Sequence, residues 1–317
     1  MKIKDFRKYL EQKNLAPISI ESRIERVQTF FQWVKKEDIQ VTKPDVLRFL
    51  EYLKSRRGQQ NKTRATCLSA LNHYFTFLLK NEFISKNPCA FIKIRGTRKK
   101  QLHKIYTTEE LEQLFDNFYN VFIRTFDNSR QRGDYQKELT ALIRERNVLI
   151  LNILINQGVV TSEIENIEID DIDFIKATIK IRSTRKRNER ILPLKATQIG
   201  FFINYLQKIR PQLIDLQNNS NNKKLFIATD RHNPKAAEKG KFKSVCDILS
   251  RQIKTIDKQF CNCGQLRTSV ITNWLKIYGL RKTQYLAGHK HVTSTETYVS
   301  NNLENLIDDI NKLHPFL

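Results

Sequence analysis

Residues 265–302 read QLRTSVITNWLKIYGLRKTQYLAGHKHVTSTETYVSNN, and the chain is best approached outward from here. Val270, Ile271, Trp274 and Leu275 recur at helical spacing behind Arg267, so an amphipathic helix carries Arg267 near its start. A second helix over 281–287 runs into Ala287-Gly288-His289, and Tyr298 follows nine residues after the histidine. An arginine at a helix N-terminus and a histidine after a glycine turn can both donate to phosphate oxygens. A tyrosine hydroxyl held beside them can attack phosphorus. Singly, Tyr298 reads as an interface tyrosine, His289 as a capped loop histidine and Arg267 as half of a surface ion pair. In this order they predict a phosphoryl-transfer site.

Upstream, a helix is expected at 244–256, and downstream another at 302–313. Leu225-Phe226-Ile227 reads as a short strand after an Asn-rich loop. In ATIKIRSTRKRNERILPL, residues 177–194, Ile179, Ile181 and 191–194 flank a charged turn, which predicts a β-hairpin with a basic tip. Helices over 196–208 and 138–157, the latter stopped by Gly158, and one opened by the Thr107–Glu110 capping box fill out this part. In the first third, Ile20, Ile24, Val27, Phe31 and Val34, then Ala65, Leu68, Leu71, Phe75 and Leu78, mark two amphipathic helices, with Ser19 as the first one's cap. Thr42 and Pro44 open a shorter helix with Val46, Leu47, Leu50 and Leu53 inward, and Asn87-Pro88 closes the bundle. The prediction is a mainly α chain with a small β-hairpin or sheet, in two domains, 1–92 and 105–317, joined by a basic linker at 93–104. No internal repeat is visible.

The 317 residues hold 56 Lys+Arg against 33 Asp+Glu, a net charge of +23. Residues 1–104 hold 24 against 9 and the remainder 32 against 24, so the first third carries most of the excess and a polyanionic partner is implied. Lys93, Arg95, Arg98, Lys99, Lys100 and Lys104 crowd the linker without an acid, and charge this dense predicts phosphate contacts. The apolar content of 40% supports a real core, while five cysteines without framework spacing argue against a disulfide scaffold. No apolar run approaches a membrane span and the N-terminus has no signal-peptide core; a soluble protein of the reducing cytoplasm is expected. The basic helices show no exposed Trp/Phe-rich face, which disfavours an anionic membrane as the partner.

RKTQYLAGHKHVTSTETY, residues 281–298, with its Arg, Gly-His and Tyr spacing, resembles the C-terminal signature of tyrosine recombinases, the phage integrase family. The resemblance covers nearly the whole chain: the first hundred residues are similar to the helical core-binding domain and 105–317 to the catalytic domain. The closing KLHPF is similar to transposon- and integron-type integrases. The resemblance implies a site-specific recombinase that encircles double-stranded DNA and assembles as a homo-tetramer on paired sites. It would swap strands through a 3′-phosphotyrosine with no metal, ATP or other cofactor. It makes Tyr298 the nucleophile, Arg267 the second catalytic arginine and His289 the Gly-His residue. Attack on a phosphodiester builds negative charge on phosphorus, so preorganised cationic donors are needed there. The family's general acid is a hairpin-tip lysine; alignment puts Arg185 at that position with Lys186 one residue on. Lys186 is the better acid, because a guanidinium holds its proton too tightly. Arg187 is expected to grip DNA backbone.

Two departures stand out. The family's first catalytic arginine lies in a box like TGLRxSEL, and this chain reads QGVVTSEI at 157–164, with Val160 in the arginine's place and Glu163 matching the acid. Gly264 stands where the family has a histidine three residues before the second arginine. Cys261 and Cys263 do not replace it, and their single-residue gap is poor for zinc; His232 and His291 read as ordinary polar residues. Arg182, on a strand, or Arg185 is expected to supply the missing charge. A non-catalytic DNA-binding relative and a type IB topoisomerase stay open as alternatives. Retention of the Arg-His-Tyr trio speaks against the first, and the chain's length speaks against the second.

Overall fold

Each apolar stripe of the first third becomes a helix in the computed structural model, which describes residues 2–97, 103–123, 133–217, 223–228 and 242–299. Arg98, Lys99, Lys100, His232, the helix expected at 302–313 and the closing KLHPF lie outside the described residues. The chain forms two compact units, Met1–Leu102 and His103–Leu317.

The first unit is α1 (Ile3–Gln12), α2 (Pro17–Val34), α3 (Lys43–Ser55) and α4 (Asn61–Lys80). Its core is aromatic, with Phe30 edge-on to Phe49 and Phe6 edge-on to Tyr74, each pair 5.1 Å between centroids. Ser19 does not cap α2: Pro17 takes the first helical position, where its fixed φ suits, and Ala16 is the cap residue. In α3, Val46, Phe49, Leu50 and Leu53 are buried while Leu47 turns outward, because an apolar stripe covers only one side of the helix. Asn61 donates to the carbonyl of Arg95 (3.0 Å), so this stretch of the expected linker is strapped to α4.

In the second unit the Thr107–Glu110 capping box opens α5 (Thr108–Asp116). Then come α6 (Asp134–Gln157), α7 (Thr161–Ile164) and an antiparallel sheet ordered β1 (Ile172–Asp173), β2 (Thr178–Ile181), β3 (Arg190–Pro193). The helix expected to stop at Lys208 does not: α8 (Ala196–Asn204) passes through a π turn at Tyr205–Ile209 into α9 (Arg210–Gln217). Pro211 has no N–H to give the preceding turn, and a widened turn accommodates it. Leu225-Phe226-Ile227 is buried but is no strand; a single bridge joins Lys224 to Glu168. α10 (Phe242–Ile256), α11 (Cys263–Ala287) and α12 (Thr293–Val299) complete the described order, α11 being broken at Gly279 between the two helices expected there. The largely buried α6 packs against α5, α8, α9 and α11. The start of α11 is pinned by Tyr106 N–H to Ser269 Oγ (3.0 Å) and by Gln265 to the Lys104 carbonyl (2.9 Å). Among the described residues no helix is long and apolar enough to cross a membrane.

Candidate active site

Two helix C-termini hold Arg267. Gly158 ends α6 in the left-handed region (φ 54°), where a Cβ would sit 2.9 Å from Val270, and its carbonyl accepts from Arg267 Nη1. Gly288 ends α11 the same way (φ 67°), and the adjoining Ala287 carbonyl accepts from Arg267 Nη2 at 2.8 Å. Both glycines permit a turn that a β-carbon would strain, and both turns aim carbonyls at a cation. Burial draws the Arg267 pKa down to about 10, with Glu163 acting in the opposite direction.

The same Nη2 meets His289 Nε2 at 3.1 Å. A guanidinium only donates, so Nε2 accepts; Nδ1 then bears the proton and donates to Thr295 Oγ1 at 2.9 Å. This neutral tautomer agrees with the pKa, which burial, then the charges of Arg267, Arg187 and Arg190, push down to about 4. Thr295 is buried on α12, and Tyr298, three residues on, shares its face. The Tyr298 ring stacks on the His289 ring with centroids 5.7 Å apart and planes 18° apart.

Among the described residues Glu163 is the one carboxylate ion-paired with Arg267, Arg190 and Arg187. Arg190 grips it from β3, Nη1 to Oε1 at 2.8 Å and Nη2 to Oε2 at 3.2 Å, with both side chains fully buried. The Val160 N–H donates to Oε2 (2.9 Å), and Arg267 lies 3.8 Å from it. Burial works against this carboxylate, but the bonds from Arg190 and Val160 and the nearby charges hold it below the usual range. Arg187 Nε stands 3.9 Å from Oε1.

The hairpin tip is a two-residue turn: Thr184 and Arg187 exchange backbone hydrogen bonds (2.9 and 3.2 Å) around the exposed Arg185 and Lys186. Its return arm joins the Gly-His turn through a bridge between Arg187 and His289 and the Asn188 N–H to the Gly288 carbonyl (2.9 Å). Tyr298, His289, Arg267, Glu163 and Arg187 are thus gathered together. Arg182 is paired with Glu168 (2.8 Å) and Asp171 (2.9 Å) beside the sheet. Lys93 and Arg95 are exposed on the first unit, whereas Lys104 pairs with Glu110 at 2.8 Å. Arg190, Thr295 and the Gly158 and Ala287 carbonyls were not anticipated as parts of the site. The visible cue for Arg190 was an arginine two residues before Leu192 on an alternating strand. Among the described residues no group of three His, Cys, Asp or Glu is placed to hold a metal ion.

The model of the phage integrase family matches residues 130–305, and that of the phage integrase N-terminal SAM-like domain matches 3–85. The chain belongs to the phage integrase family. It is a tyrosine recombinase, an enzyme of site-specific DNA recombination. A tyrosine recombinase XerC from Anoxybacillus flavithermus is 27% identical over 299 residues, 92% of this chain and 90% of the relative. One from Oceanobacillus iheyensis is 26% identical, covering 99% of this chain and 95% of its own. In fold, the chain is similar to XerH site-specific recombinase bound to difH substrate (TM-score 0.64, 18% identity, 97% of this chain and 84% of that one). It is also similar to a lambda integrase tetramer bound to a Holliday junction (TM-score 0.58, 13% identity, 92% and 77%). Within this tyrosine recombinase, Glu163 lies 3.8 Å from Arg267 and accepts from the Val160 N–H.

Proposed function

We propose that this recombinase cleaves and rejoins double-stranded DNA through a 3′-phosphotyrosine on Tyr298. The bond from Tyr298 Oη to phosphorus forms as its phenolic proton passes to water and the bond to the 5′ oxygen breaks, and Lys186 at the hairpin tip protonates that leaving oxygen. Arg267, preset by two backbone carbonyls and His289, stabilises the charge that develops on phosphorus. The observation that carries this reading is the unbroken contact series from Arg267 through His289 to Tyr298. A pure DNA-binding module has no use for such a series. The exposed Lys93 and Arg95 of the first unit, with the basic stretch that follows, hold the DNA backbone. In this reading the enzyme exchanges strands between paired sites as a homo-tetramer in the cytoplasm; the likeness to a lambda integrase tetramer bound to a Holliday junction supports the tetramer.

The test is covalent trapping on nicked suicide DNA carrying the target site. Tyr298→Phe should keep DNA affinity and abolish the denaturation-resistant adduct; persistence of the adduct would exclude Tyr298. Lys186→Ala should be rescued by a substrate whose leaving oxygen is sulfur, which departs without a proton. Rescue of Arg185→Ala instead would move the acid one residue back.

A further inference from the structure

Val160 leaves the site one cation short of its family's pattern. We propose that Arg187 supplies that cation to the scissile phosphate, and that Arg190 makes this possible by occupying Glu163. The proposal rests on the phosphotyrosine reading above.

Arg190 takes both oxygens of Glu163 and the Val160 N–H takes a further site on Oε2, so the carboxylate is largely satisfied without Arg187. At 3.9 Å, Arg187 Nε is near enough to be attracted and too far to hydrogen-bond. The Nε atoms of Arg187, Arg190 and Arg267 are all buried without a hydrogen-bond partner. Three guanidiniums around one carboxylate, beside a neutral His289, leave an excess of two positive charges. That excess has a matching ligand: a phosphodiester carries one negative charge and its pentacoordinate transition state two. Of the three arginines Arg187 is the most exposed, its side chain 22% accessible against 0% for Arg190 and 4% for Arg267. Its backbone is bridged to that of His289, so the hairpin arm that carries the cation is tied to the turn whose imidazole stacks under Tyr298. Arg182 is taken by two carboxylates and Arg185 lies in the exposed tip.

Single-turnover cleavage of suicide DNA tests this, with wild type, Arg187→Ala, and Arg187→Ala combined with Val160→Arg. Arg187→Ala should cleave about 100-fold more slowly while DNA affinity changes less than about threefold. Adding Val160→Arg should recover about tenfold or more of that loss. A methylphosphonate at the scissile position builds one negative charge fewer, so on it the gap between wild type and Arg187→Ala should nearly close. A merely structural defect would leave that gap unchanged, and such a result would overturn the proposal. Wild type forming adduct while Arg187→Ala stays within about tenfold of it would overturn this proposal alone. A wild type without adduct would overturn the phosphotyrosine reading and the proposal with it. Arg190→Ala is a poorer probe, since it strands a buried carboxylate and threatens the fold.

Discussion

His289 is a buried, neutral imidazole among three guanidiniums, and its protonation is opposed by each of them. Its folded pKa of about 4 lies below the ordinary 6.5, so the unfolded chain takes up the proton first. Stability from this group is therefore fully present above pH 6.5 and is lost as pH falls toward 4. The full loss is about 3 kcal/mol. Urea unfolding of wild type and His289→Gln at pH 7 and 4.5 should show the wild type losing most of that amount relative to the variant. Equal losses would mean an ordinary histidine. Protonation would also set a new N–H against Arg267 Nη2, breaking the contact that links Arg267 to the ring stacked on Tyr298.

At the scale of elements, β3 buries Arg190 and Leu192 and exposes Ile191 and Pro193, which for Arg190 and Ile191 is the reverse of what residue polarity suggests. Register is the cause: Arg190 lies opposite Ile181 and Leu192 opposite Ile179, all four buried, and one strand face cannot be split by residue type. The Gly288 turn then closes over Arg190, since a Cβ on Gly288 would fall 2.5 Å from its Nη1. Gly288→Ala should therefore strain the left-handed turn and push Arg190 off Glu163, costing about 3 kcal/mol or more. Gly200→Ala is the control: Gly200 lies in α8 with no atom within 4 Å of an added Cβ, so it should gain up to about 1 kcal/mol. Thermal melts separate the two. A Gly288→Ala protein as stable as wild type would mean that Arg190 has another resting place.

Across the whole molecule, a net charge of +23 demands a polyanion. If about ten phosphates are neutralised, log K should fall with log salt at a slope near −9. Replacing the exposed Lys93 and Arg95 together with alanine should flatten it by about two units, measured by anisotropy titrations at several salt concentrations. An unchanged slope would remove them from the DNA interface. What the chain's local signals established was its helices, through apolar period and the Thr107 cap, and the hairpin and the Arg267, His289, Tyr298 order, through spacing and turn residues. These depend on near neighbours and survive without a fold. Folding alone settled which arginines of the hairpin are buried, paired or presented. Arg182 met carboxylates beside the sheet, and Arg190 met Glu163, 27 positions away. A charged side chain reads as solvated until a distant partner is packed against it, and strand register and two glycine turns bring that partner in.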